Sequence, residues 1–190
     1  MWGTLVDTMR ITGGNTKGTR IRTLAGRSTR PTTSMVKEAI FSLLEHATDR
    51  WDNVLDLYAG SGALGIEALS RGAEWGDFVD HKRSCCSIIR DNLKKTGNST
   101  KANVYCCDAR RAMSFLDKVY DVVFLDPPYA DCTATDLLAD LAKSRLLGKD
   151  TTLVLSHANR CTLQSHYDTL QLVRQRRYGD TYISIYQKVE

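Results

Sequence analysis

Apolar and polar positions divide the 190-residue chain into a short front part and a longer alternating part. Residues 9–24 carry two short apolar runs around Gly13-Gly14-Asn15 and Gly18, which predicts a small hairpin or extended arm. Met9 is an alternative start, since residues 1–8 add no pattern. Val36, Ala39, Ile40, Leu43, Leu44 and Ala47 then recur at i, i+3, i+4 and i+7 spacing. That predicts an amphipathic helix over 33–48, capped by Thr32 or Thr33. Beyond Asn53, strand-like runs at 54–58, 77–80, 103–106, 122–125 and 152–155 alternate with helical stretches at 63–71, 82–96, 109–117 and 133–146. Apolar strands joined by such helices call for right-handed crossovers and a parallel sheet covered on both faces. The tail changes period: 170–174 and 182–186 alternate apolar with polar around Gly179-Asp180, predicting an antiparallel hairpin on the sheet edge. The expected architecture is α/β, with a basic extension over 1–32 and one domain over 33–190.

Composition narrows the class. With 42% apolar and 25% charged residues the chain is neither disordered nor collagen-like, and it has no apolar run long enough to span a membrane. The front of the chain lacks the basic-then-apolar pattern of a secretory signal, so a cytoplasmic protein is expected. Six cysteines (Cys85, Cys86, Cys106, Cys107, Cys132, Cys161) show no CxxC pair and no metal spacing; free thiols and no metal are expected. The net charge of +4 is unevenly placed. Arg10, Lys17, Arg20, Arg22, Arg27, Arg30 and Lys37 follow Asp7, the one acid of the first 37 residues, so that segment holds +6 and the remainder −2. A local excess of this kind is the footprint of a nucleic-acid contact, although a solvated basic surface accounts for it equally well. Arg10, Lys17, Arg20, Arg22, Arg30 and Lys37 are the expected nucleic-acid contacts.

Four strand ends carry chemistry. The first runs into Asp56-Leu57-Tyr58-Ala59-Gly60-Ser61-Gly62-Ala63-Leu64-Gly65 and then a helix, a turn that brings a ligand close to backbone. Gly60, Gly62 and Gly65 satisfy GxGxxG, and Asp80, 20 residues past Gly60, is placed to accept ribose hydroxyls. That much fits a dinucleotide or S-adenosylmethionine. Asp56 favours the latter, because a carboxylate there suits a cationic ligand and opposes a pyrophosphate. Asp108-Ala109 ends the third strand, where the carboxylate either meets an adenine amine or caps the next helix. Asp126-Pro127-Pro128-Tyr129 closes the fourth; its prolines forbid continuation of the strand and hold Asp126 and Tyr129 at the ligand-binding edge. A planar amine there can donate to the Asp126 carboxylate and the Pro127 carbonyl, with Tyr129 stacked on the attached base.

With these motifs in view, the chain resembles the bacterial 16S ribosomal RNA (guanine-N2)-methyltransferases of the RsmD type, named for guanine 966. The likeness rests on Met9-Arg10-Ile11 with Gly13, Thr29-Arg30-Pro31-Thr32-Thr33 with Val36-Lys37-Glu38-Ala39, and Asp56 to Gly65 with Glu67-Ala68-Leu69-Ser70-Arg71-Gly72. Asp126-Pro127-Pro128-Tyr129 and the tail Arg177-Tyr178-Gly179-Asp180-Thr181 complete it. It implies a Rossmann-like, seven-stranded S-adenosylmethionine-dependent methyltransferase fold over 33–190, the last strand antiparallel, and methyl transfer to the N2 of one guanine in small-subunit rRNA, leaving S-adenosylhomocysteine. It also implies that Asp56, Ala59, Gly60, Ser61 and Gly62 hold the methionine end, Asp80 the ribose, and Asp108 with Ala109 the adenine. Asp126 to Tyr129 would receive the flipped base, and the basic arm would lie over 16S rRNA or the small subunit. A monomer is expected. Two departures stand out: His81-Lys82-Arg83-Ser84-Cys85-Cys86 replaces the family's charged pair after Asp80, and Ser34-Met35 replaces its Asp-Arg.

Other functions compete. Asp-Pro-Pro-Tyr also serves enzymes acting on adenine N6 or on protein glutamine. A nicotinamide oxidoreductase would use the glycine loop but has no work for Pro127-Pro128. A non-catalytic RNA-binding assembly factor would keep the arm.

Overall fold

The computed structural model describes residues 7–23, 31–127, 134–159 and 161–189. Its front part is a two-stranded antiparallel hairpin, β1 (Thr8–Arg10) with β2 (Arg20–Arg22), in which Thr8 faces Arg22 and Arg10 faces Arg20. Because side chains alternate along a strand, Ile21 and the neighbouring Ile11 are buried while Arg10, Arg20 and Arg22 all point to solvent. Helix α1 (Pro31–Leu44) begins two residues before the expected start, since the fixed φ of proline suits a first helical turn. It ends at Leu44, and residues 45–47 close in turns rather than continuing to 48.

The large sheet has the order β5-β4-β3-β6-β7-β10-β9-β8. Its strands are β3 (Asn53–Leu57), β4 (Trp75–Val79), β5 (Ala102–Tyr105), β6 (Tyr120–Leu125), β7 (Leu147–Ala158), β8 (His166–Tyr167), β9 (Leu170–Tyr178) and β10 (Thr181–Lys188). Strands β3 to β7 run parallel, linked through α2 (Ala63–Ser70), α3 (Arg83–Lys95), α4 (Ala109–Phe115) and α5 (Ala134–Ala142). The terminal hairpin adds β10 antiparallel to β7, with β9 outside it. The sheet therefore holds one strand more than the seven implied by the resemblance. The addition is β8, two residues pairing only with Leu170 and Gln171, too short for a periodicity to mark it.

Each strand feeds two cores. Val54, Phe78, Val122, Phe124, Val154, Ile183 and Ile185 pack against α1, α2, α3 and the hairpin. Leu55, Leu57, Val79, Val123, Leu125, Leu153, Leu155 and Tyr186 pack against α4 and α5. With both faces covered, the parallel strands read as continuous apolar runs, and ligand chemistry is displaced to their carboxyl ends. The order reverses between β3 and β6, so a crevice opens where these two strands end.

Candidate active site

Asp56 lies on the same face of β3 as Val54, toward α2, and is 2% exposed. The chain then turns sharply. Tyr58 adopts φ 62°, a left-handed conformation that costs a residue with a Cβ about 1–2 kcal/mol. Gly62, at φ 77°, starts α2 in a conformation that glycine adopts freely. Gly65 is required for a different reason: a Cβ there would lie 2.4 Å from Phe78 Cε1 and 3.2 Å from an Asp56 carboxylate oxygen. The third glycine of the motif thus lets α2 close onto β3 and β4. Its own N–H donates to Asp56 Oδ2 at 2.9 Å.

That hydrogen bond is weak compensation for a buried charge. Burial pushes the Asp56 carboxyl up to about 7 against the Gly65 bond, and the carboxylates of Asp126 and Asp80 push in the same direction. Asp80, also buried, ends β4; its Oδ2 accepts from Gly60 N and its Oδ1 from Lys82 N, each at 2.9 Å. Each oxygen retains lone-pair capacity for a hydroxyl donor. Asp126 is exposed, one residue past β6. Three acids thus converge on the glycine turn. The donor set matches a ligand with a positive centre and ribose hydroxyls, and would repel a pyrophosphate.

The remaining expected cofactor residues lie on the turn and at the start of α4. Ala59 N donates to Val79 O at 2.9 Å, tying the loop to β4, while Ser61 O accepts from Asn92 Nδ2 at 2.9 Å, tying it to α3. Asp108 caps α4, its Oδ1 accepting from Arg110 N at 2.9 Å, with Ala109 buried behind it. Pro127 is buried at the end of β6. Pro128, Tyr129 and Arg30 lie outside the described residues.

The expected RNA contacts divide. Arg10, Lys17, Arg20 and Arg22 are exposed, Arg22 paired with Asp91 at 2.9 Å. Lys37 is a correction: it is 3% exposed and not available to a phosphate. Its ammonium is paired with fully buried Glu67 and donates to Arg10 O at 2.6 Å. Glu67 also accepts from Gly13 N (2.7 Å), from Thr12 N and Oγ1, and from Arg71 Nε (3.0 Å). Burial lowers the Lys37 ammonium, whereas Lys37 and Thr12 together outweigh burial and hold the Glu67 carboxyl below its ordinary range. Glu67 was not singled out from the sequence as a partner of the arm. The only sign of it was its place in the Glu67-Ala68-Leu69-Ser70-Arg71-Gly72 segment.

The cysteines divide as well. Cys85, Cys86, Cys106 and Cys107 are free, and Cys86 Sγ donates to Asp80 O at 3.3 Å behind the site. Cys161 is disulfide-bonded, against the expectation of free thiols throughout; no short-range spacing announces that bond.

Known proteins are similar to this chain in sequence and in fold. The Bacillus subtilis (strain 168) protein YlbH, a candidate rRNA methyltransferase, is 39% identical over 183 residues, covering 95% of this chain and 99% of YlbH. Ribosomal RNA small subunit methyltransferase D of Buchnera aphidicola subsp. Baizongia pistaciae is 27% identical over 154 residues, 81% of this chain and 78% of that one. The solved structure of Escherichia coli yhhF, described as a candidate methyltransferase, superposes with a TM-score of 0.81 at 27% identity. It covers 96% of this chain and 98% of that structure. The family described as conserved hypothetical protein 95 matches residues 9–187. The strand order, the acid-lined glycine turn and the Asp-Pro-Pro-Tyr element stand within that match, and the chain belongs to this family, the RsmD family to which its motifs point.

Proposed function

We propose that the protein transfers a methyl group from S-adenosylmethionine to the exocyclic N2 of a guanine in small-subunit rRNA. The observation that carries this reading is Asp56: a carboxylate buried beside Asp80 and Asp126 that accepts from the backbone N–H of Gly65, its pKa raised to about 7. Such a group is completed by a cation. The relatives' names supply the reaction class, and the exposed arginines of the hairpin support an RNA acceptor.

When bound, the cofactor supplies an electrophilic methyl group. Asp56 and the turn from Ala59 to Gly62 would hold its cationic end, Asp80 the ribose hydroxyls, and Asp108 and Ala109 the adenine edge. Asp126 accepts an N–H of the guanine amine and the Pro127 carbonyl accepts the other, which fixes the nitrogen plane. As the amine becomes positively charged, Asp126 stabilises that charge electrostatically. The surplus proton leaves after transfer, so His46, His81, His157 and His166 need not act as bases. Extrusion of the guanine costs a few kcal/mol, less from an RNA loop than from a duplex.

Incubation of the protein with methyl-labelled S-adenosylmethionine and small-subunit rRNA, tRNA, DNA or bulk protein tests the reading. Label in small-subunit rRNA, recovered as N2-methylguanosine, is expected. Label confined to adenine or to protein glutamine would transfer the assignment to the rival acceptors.

A further inference from the structure

The strand registers place His157 of β7, Tyr182 of β10 and Arg177 of β9 side by side, next to the end of β6. Leu125 of β6 pairs with Leu155 of β7. Two residues further on stand Pro127 and His157, and from His157 the pairing continues to Tyr182 of β10 and then to Arg177 of β9. At about 4.8 Å per strand, this row leads some 14 Å from the end of β6 toward the open edge of the sheet. That is the reach of two or three nucleotides.

The row is built for contact with something. The His157 and Tyr182 rings stack with centroids 5.6 Å apart and planes 24° from parallel. His157 is buried beneath, and Tyr182 is half-exposed. A polar chain fixes the lower ring. Gln175 Nε2 donates to Ser184 Oγ at 2.8 Å, so the Ser184 hydroxyl donates to His157 Nε2 at 2.9 Å, and Nδ1–H donates to Ala158 O at 3.1 Å. Both ring nitrogens are thereby used by a neutral imidazole. Burial lowers the His157 pKa, in agreement. Directly across from Tyr182, Arg177 is exposed and spends its Nε on Gly179 O at 2.8 Å. Among the described residues it has no carboxylate partner.

We infer that the His157–Tyr182 stack and Arg177 form a binding strip for single-stranded RNA flanking the methylated nucleotide. In this strip Tyr182 offers its face to a neighbouring base and Arg177 meets the adjoining phosphate. The inference rests on the rRNA reading above. An aromatic face accepts any base, and a flanking guanidinium supplies the backbone contact, so the strip takes RNA without selecting its sequence. An ordinary end-of-sheet packing contact would explain the stacked rings, but not the exposed, carboxylate-free arginine in register with them.

The test uses the full chain, a fluorescent single-stranded RNA carrying the small-subunit target sequence, and separate titration with S-adenosylmethionine. Tyr182→Leu keeps apolar packing and removes the stacking face; it is expected to weaken RNA binding about ten-fold. Tyr182→Trp is expected to retain it, and Arg177→Gln to reduce the slope of log affinity against log salt by about one. Cofactor affinity stays constant in all three. Equal RNA affinity in Tyr182→Leu and the parent protein would overturn the strip, as would a loss in Tyr182→Trp as large as in Tyr182→Leu. Failure of the parent protein to methylate rRNA while Tyr182→Leu still weakens RNA binding would instead overturn the functional reading and leave the strip standing.

Discussion

Two buried acids stand at opposite ends of the same stretch of chain, and the protein treats them differently. Glu67, near the end of α2, is surrounded by donors from the chain itself: Lys37, Arg71, Thr12 and Gly13. Its carboxyl is held below the ordinary range. Asp56, at the start of the glycine turn, is buried to a similar degree, yet it is held by the backbone N–H of Gly65, and its carboxyl rises to about 7. Burying a charge without compensation costs several kcal/mol. The chain provides five donor groups to one acid and leaves a second beside two more carboxylates; the proposed function gives the first a structural part and the second a ligand.

The comparison extends to a third acid, Asp126, which is exposed and which the proposed function assigns to the acceptor instead of the cofactor. Asp126→Ala is expected to lower kcat for methyl transfer by about 10²–10³-fold with unchanged S-adenosylmethionine affinity, read by single-turnover transfer and by calorimetric titration. Parallel loss of cofactor binding would move Asp126 into the group of Asp56. Next in size is Glu67→Gln, which leaves the Lys37 ammonium buried without its partner. About 3 kcal/mol of stability should be lost in urea unfolding, while the folded fraction still binds cofactor normally. If cofactor affinity fell instead of stability, the division between the two acids would be wrong.

Asp56→Asn inverts that pattern. It is expected to weaken S-adenosylmethionine binding at least about ten-fold and to leave the ligand-free protein as stable as before or more so. Its pH signature follows from the sign of the shift. An acid whose folded pKa lies above its unfolded value carries an extra proton when folded, so stability falls as pH climbs from the ordinary carboxylate range to about 7. The Tm advantage of Asp56→Asn over the parent should therefore grow between about pH 5 and 7 and then level off. Glu67, shifted downward, contributes stability that is kept across that range and lost only in acid. The smallest expected effect concerns the arm. Changing Arg10, Arg20 and Arg22 together to Ala should reduce the salt slope of RNA binding by about two to three, measured by fluorescence anisotropy at several ionic strengths.

Sequence carried the cofactor end of this contrast and missed the other. Asp56, Gly60, Gly62 and Asp80 lie within one strand–turn–helix–strand unit, where spacing alone brings them together. Lys37 was grouped with phosphate contacts because charge counting does not register burial. Its partner Glu67 is 30 residues away, and Thr12 is 55 from Glu67. Those contacts exist only after α1 and the hairpin dock on α2. The row from Pro127 to Arg177 was equally hidden, since it depends on the register of β7, β10 and β9 and on no spacing along the chain. The parallel strands were legible through their apolar runs; β8, with two residues, has no periodicity to read.

The hairpin follows the length of α2. At one end Asn92 joins the Arg22 backbone to Ser61 of the glycine turn, and at the other Asn15 N donates to Ser70 O. Eight helical residues at 1.5 Å each separate these anchor points by about 12 Å. An arm fastened at both ends works as a ruler and not as a tether. It gains little entropy on release and loses little on meeting RNA, and the distance from its arginines to the methyl-accepting edge is set before any RNA arrives. Under the proposed function, selection of one guanine among many becomes a matter of length: only a base lying that far from a suitably placed phosphate would reach Asp126.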